Sequence, residues 1–302
     1  MEIYPRDLVG YGACPPDPKW PNKARLAVNF VINYEEGSEY SIPDGDGFSE
    51  SSLTESPSSV IPHGTRDLAG ESLFEYGSRV GFWRLFRIFR DRCIPFTVFA
   101  CALALERNKE AARAISDAEL DVCCHGWRWI EHYKLTEEEE RNHIERAINS
   151  LTKTLGERPV GWYCRTGPSI NTRRLLVEAG GFLYDSDSYN DELPYWLNVS
   201  NTPHLVVPYT LTNNDSKFGR GWFSTSEDFF QFNKDAFDLL YLEGEKHPKM
   251  MSIGLHQRLM GHPARAMGLC RLLDYITKFE DVWICSRIDI AKHWMKVHPY
   301  HL

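Results

Sequence analysis

The chain has 302 residues, 42% of them hydrophobic and 25% charged, with a formal net charge of −8. This is globular composition with material for a sizeable core, and its acidic balance argues against general binding to nucleic acid or anionic membrane, which require basic patches. No run approaches the roughly 18 apolar residues of a membrane span, and no basic-then-apolar leader opens the sequence, so it predicts a cytoplasmic protein.

A Pro-rich entry leads into residues 25–34, a short apolar, β-branched run suited to a strand buried on both faces. It stops at Glu35-Glu36. Residues 38–70 are rich in Ser, Gly, Pro and Asp, and a loop of that length is a candidate lid or an exposed insertion. Helical spacing returns over 71–92, and 95–104 reads as a second strand. Residues 107–118 read as a helix and 120–125 as a strand ending at His125. Thr136 with Glu139 forms a capping-box pattern that opens a helix to Leu155. Strand-like runs follow at 159–164, 181–189 and 204–211. Helices are expected at 171–179, 225–245 and 264–279, and strands at 250–256 and 282–286, before a short terminal helix.

Strands alternating with helices imply an α/β protein with a parallel sheet. Ionisable residues recur just past strand ends: Glu35, Glu36, His125, Arg165, Asp185 and His256. That favours a (β/α) barrel, either distorted or with fewer than eight strands, over an open sheet, because this face of a barrel carries chemistry. Taken singly, each has a plain explanation: a solvated turn, a hydrogen-bonded histidine or a paired arginine. The eight cysteines lack CxxC spacing and read as reduced thiols, with neither a zinc cluster nor a disulfide framework. Trp222, Phe223, Phe229 and Phe230 form an aromatic cluster that suits either core or a subunit contact.

The ordered ensemble resembles the polysaccharide deacetylases. Their first motif, a strand ending in two aspartates, falls on Asn33-Tyr-Glu-Glu-Gly37. Their second, two histidines four residues apart, falls on His125-Gly-Trp-Arg-Trp129, where Trp129 replaces the second histidine. Arg165 matches the third motif. Asp185, Asp187 and Asp191 compete for the fourth, and His256 matches the fifth. The resemblance implies a distorted deacetylase-type (β/α) barrel over residues 1–302 as one catalytic domain.

It also implies that the family's metal site is broken, because indole offers only an N–H and cannot ligate. Glu36 and His125 remain as ligands, fewer than the three a catalytic zinc normally keeps. Segments such as VINYEEGSE, HGWRWIEH, YDSDSYNDELPYW and SIGLHQRL are similar to the metal-independent allantoinases. That narrower resemblance implies hydrolysis of a small cyclic amide, allantoin first, with no metal and no other cofactor. It also implies a homo-oligomer, a tetramer among the options, acting on a small molecule. Glu36, or else Glu35, would activate water, and His125 and His256 would donate and shuttle protons. Trp129, Arg165 and Asp185 would bind substrate, Trp129 as a flat wall and Arg165 by gripping a carboxylate. Alternatives are a metal-dependent deacetylase of chitin, peptidoglycan or their oligomers, a cyclic-imide hydrolase, and a dead barrel used for binding.

Overall fold

The computed structural model describes residues 6–56 and 61–300. Among them, nine strands form one sheet in the order β6-β7-β5-β4-β3-β2-β1-β8, with β9 also paired to β1. The strands are β1 (Leu26–Tyr34), β2 (Thr97–Ala100), β3 (Asp121–Cys124), β4 (Gly161–Trp162), β5 (Tyr184–Asp185), β6 (Tyr195–Val199), β7 (Thr202–Val206), β8 (Lys249–His256) and β9 (Val282–Ile284). Every pairing is parallel except the β6–β7 hairpin. β7 and β8 are not paired directly. The chain at 207–215 spans the gap instead, through bonds such as Val207 N–H to Asp185 O and Asp215 N–H to Gly254 O. The sheet is thus a distorted barrel closed by irregular backbone.

The helices are α1 (Leu68–Tyr76), α2 (Phe82–Asp91), α3 (Ala102–Arg107), α4 (Lys109–Asp117), α5 (Glu137–Leu155), α6 (Thr172–Ala179), α7 (Ser216–Gly219), α8 (Ser226–Glu243), α9 (Gln257–Met260), α10 (Pro263–Ile276) and α11 (Arg287–Val297). The Thr136–Glu139 capping box forms as the sequence predicts. A π turn at Gly77–Gly81 joins α1 to α2. No helix among the described residues is long and apolar enough to cross a membrane.

The central strand explains where the site lies. All nine residues of β1 are buried, but successive side chains point to opposite faces of a strand. Leu26, Val28, Phe30, Ile32 and Tyr34 join the core beneath the helices, whereas Ala27 and Val31 join a second cluster inside the barrel. Asn29 and Asn33 share that inner parity. Asn29 accepts from Arg287, a fully buried guanidinium that also bonds Ser186, Ser252 and two backbone carbonyls. Above it Phe99, Tyr163 and Tyr209 pack ring to ring, with centroids 4.8–5.0 Å apart. The interior is therefore layered, and its top layer opens where β1 ends.

The aromatic cluster predicted near residue 222 divides. Phe223 and Phe229 are core, while Trp222 is exposed beneath the Lys217 ammonium, 4.6 Å from its ring.

Candidate active site

Extending the alternation of β1 by one residue puts Glu35 inside the barrel and Glu36 on the helix side. The contacts follow that parity. Glu35 Oε1 lies 3.2 Å from His125 Nε2 and 3.5 Å from His256 Nε2. His125 follows β3 on the inner parity of Cys123, and His256 ends β8 on the inner parity of Met250. His125 Nδ1 donates to Tyr163 O at 3.1 Å, since a carbonyl can only accept. His256 Nδ1 donates to Asp215 Oδ1 at 2.6 Å, and Asp215 Oδ2 accepts from the His256 backbone N–H at 2.7 Å.

Glu36 turns to the helices. Its Oε2 accepts from Gln257 Nε2 at 2.5 Å and from the Glu35 N–H at 3.1 Å. The π turn makes room for it: a methyl group on Gly77 would sit 2.5 Å from Glu36 Oε1. π turns inside helices are frequent at functional sites.

Arg258, two residues past His256, supplies the charge these carboxylates need. Its Nη1 lies 2.7 Å from Glu35 Oε2 and 3.2 Å from Glu36 Oε1, and its Nε donates to Leu53 O at 3.1 Å. The Glu35 contact is a close buried ion pair whose angles are not those of a directed hydrogen bond. Burial pushes the Glu35 carboxyl up, but Arg258, His256 and His125 outweigh it and hold it well below the usual range. Burial pushes Glu36 up; Arg258 opposes this and the Glu35 charge reinforces it, leaving its carboxyl raised. Burial favours neutral His256, but Glu35 and then Asp215 prevail and lift its pKa to about 9. The site thus holds an ionised carboxylate facing an imidazolium.

Trp129 lies between two guanidiniums, with Arg165 3.7 Å and Arg258 4.9 Å from its ring. Arg165 already has a carboxylate, because it pairs with Glu50 of the long loop. That loop is tied across this end of the barrel. Arg107 binds Asp44, Arg128 binds Asp46, and Arg265 binds Glu55. Beneath it Glu35 and His125 are each only 1% exposed. Residues 57–60, part of the predicted lid, lie outside the described residues.

Asp185 stands apart from this group. Its β5 neighbour Tyr184 takes the inner parity, so Asp185 faces outward, where it accepts from Arg173 Nε at 2.8 Å and His204 Nε2 at 2.7 Å. Burial raises its carboxyl, but Arg173 and His204 bring it well below the usual value. A structural ion pair accounts for it, and the acidic partner at the site is Asp215. Asp215, Gln257 and Arg258 were missed by motif reasoning. Arg258 carried a signal, since Gln257-Arg258 immediately follows a strand whose last residue, His256, was already a candidate. Asp215 sits in an aperiodic loop and carried none. A cavity of about 970 Å³ lies at the other end of the barrel, lined by Phe96, Asp121, Pro159 and Lys292 among others. It touches none of the site residues.

The donor set does not suit the divalent cation of a metal-dependent deacetylase. Trp129 stands where a second imidazole would be required, and a guanidinium bridges the two carboxylates. Among the described residues, no three His, Cys, Asp or Glu side chains group to hold a metal ion.

Comparison with known proteins agrees with the fold. A family model described as polysaccharide deacetylase matches residues 71–182. A structure from Pseudomonas aeruginosa PAO1, also named for a polysaccharide deacetylase, is 51% identical over 99% of this chain and 100% of its own, with a TM-score of 0.95. The crystal structure of Puue Allantoinase gives the same identity, coverage and TM-score. A curated relative from Schizosaccharomyces pombe (strain 972), named for the same deacetylases, is 41% identical across 98% of both chains. Identity of that level over the whole chain means that this protein belongs to the polysaccharide deacetylase family.

Proposed function

We propose that this chain hydrolyses a carbon–nitrogen bond in a small cyclic amide, allantoin being the first candidate, using its own side chains in place of a metal. The observation that carries this reading is Arg258. A fixed guanidinium neutralises Glu35 and Glu36, where a metal-dependent relative would need an open coordination site. The near-complete enclosure of Glu35 and His125 beneath the tethered loop suits a small ring better than a polymer chain. The 51% identity to an allantoinase supports the substrate class.

In this reading Glu35 accepts a proton from water as the water oxygen bonds to the ring carbonyl carbon and the carbonyl π electrons move onto oxygen. Collapse of that adduct breaks the C–N bond. The departing nitrogen takes the proton from His256 Nε2, and Asp215 holds the imidazole for that transfer. Proton transfer by placed groups contributes about 10²–10⁴-fold, and positioning adds to it. A ring carbonyl flanked by an imide nitrogen is activated enough for this to suffice. Glu36, hydrogen-bonded to Gln257, positions the pair and is not the base.

The test is turnover of allantoin, a cyclic imide and an N-acetylglucosamine oligomer, each with and without EDTA. Ring opening that ignores EDTA is expected. Acetate release abolished by EDTA would replace this reading with a metal-dependent deacetylase.

A further inference from the structure

Three buried polar atoms in the cluster have no hydrogen-bond partner among the described residues: Arg258 Nη2, Glu35 Oε2 and Gln257 Oε1. Nearly all buried polar atoms in folded proteins are paired, and an exception calls for an explanation. Arg258 is the most telling of the three. Its Nε and Nη1 are taken by Leu53 O, Glu35 and Glu36. The plane of the guanidinium lies against Phe74 and Trp129, 4.5 and 4.9 Å from their ring centroids. Neither ring can accept a strong hydrogen bond from Nη2. A guanidinium held this way on three sides cannot swing to find another partner, and its unfilled donor belongs to the group that touches the proposed base.

We propose that Arg258 is a catalytic residue whose free Nη2 hydrogen-bonds the substrate carbonyl oxygen and stabilises the negative charge that develops there. Glu35, paired with Nη1 of the same guanidinium, holds the attacking water. The inference rests on the proposed hydrolysis and adds the electrophilic group it lacked. The electron pair released onto oxygen as water adds then meets a fixed positive charge, and it returns to carbon as the C–N bond breaks. Such preorganised donors act strongly where water is excluded, and losing one costs about 10²–10³-fold in kcat.

The wild-type chain is assayed first on the amide panel, and a failure there counts against the proposed function alone. On whichever amide it opens, Arg258→Lys and Arg258→Gln are then compared. Lysine keeps a cation beside the carboxylates and loses the second nitrogen. In both variants kcat is expected to fall about 10²-fold or more while KM stays within about threefold, and in a third variant, Arg258→Ala, added methylguanidinium partly restores turnover. A folded Arg258→Lys with kcat within about threefold of wild type would overturn the assignment and leave the proposed function standing. A wild-type crystal complex with hydantoin gives a check independent of variant folding. An Nη2–oxygen hydrogen bond to the ring is expected, and a ring bound with Nη2 still unpartnered refutes the proposal.

Discussion

Replacing Asp215 by Asn tests the acid half of the site. Asp215 accepts from His256 Nδ1 at 2.6 Å, and with Glu35 it lifts the imidazole to a pKa of about 9 against the push of burial. A hydrogen bond to a charged group contributes about 1.5–3 kcal/mol, and one pKa unit is about 1.4 kcal/mol. Losing the charge should therefore lower His256 by about one to two units. The alkaline limb of kcat/KM, which reports loss of the His256 proton, should move from about 9 in the wild type to about 7–8 in the variant. At pH ~8.5 the protonated fraction then drops roughly eightfold, and well below pH 7 the loss is small.

Stability should follow the same titration. A folded pKa raised above the ordinary histidine value stabilises fully below about 6.5, and that stability is lost as pH rises through 9. For about 2.5 units this amounts to about 3 kcal/mol in the wild type and less in the variant. The assay is a pH series of kcat/KM beside denaturant unfolding at pH 6 and pH 9. An alkaline limb still at about 9 in a folded Asp215→Asn protein would refute the reasoning.

Gly81→Ala should destabilise the fold by about 3 kcal/mol or more, because the new methyl would lie 2.0 Å from Gln257 O; denaturant melts read this directly. Asp185→Asn should cost about 3–5 kcal/mol by removing the charge shared by buried Arg173 and His204. It should leave kcat/KM of the folded protein near wild type, and a selective rise in KM would restore Asp185 to substrate binding. Glu50→Gln keeps one acceptor for Arg165 but loses the charge of a buried pair. Hydrogen exchange in the 44–54 loop should quicken roughly thirtyfold, for about 2 kcal/mol, and unchanged exchange would mean that Glu50 does not hold the loop closed.

The strand–helix alternation and the strand-end residues were legible in sequence because hydrophobic period and caps are local signals. Strand ends at Tyr34, Cys124 and His256 come within a residue of their predicted places. Of the β6–β7 hairpin, the 204–211 run announced β7, whereas β6 was missed, because a short, partly exposed strand carries little apolar pattern. At the site, parity separates Glu35, which faces the barrel interior, from Glu36, which faces the helices. The only polar residues inside the 26–34 strand are Asn29 and Asn33 before its terminal Tyr34, and both share the register of Glu35. A polar residue tolerated in a buried strand marks the face where other polar groups wait, so the strand itself pointed to Glu35 as the inward-facing carboxylate. The same rule turns Asp185 away. Arg165 was correctly placed at a strand end, but its carboxylate partner comes from more than 100 residues away, and no local pattern announces such a pairing.

Three consecutive residues, His256, Gln257 and Arg258, place a proton donor, a carboxamide and a positive charge on one stretch of chain. A coordinated ion must be captured after the chain has brought scattered ligands together, and it can be lost again. Here the counter-charge to Glu35 and Glu36 is translated with the polypeptide and arrives as β8 docks beside β1. On the proposed reading, completing the site and docking β8 on β1 are one event, with no loading step between them. The same economy fixes the charge at a single value and a single position, so any change of chemistry at this site has to be written in codons.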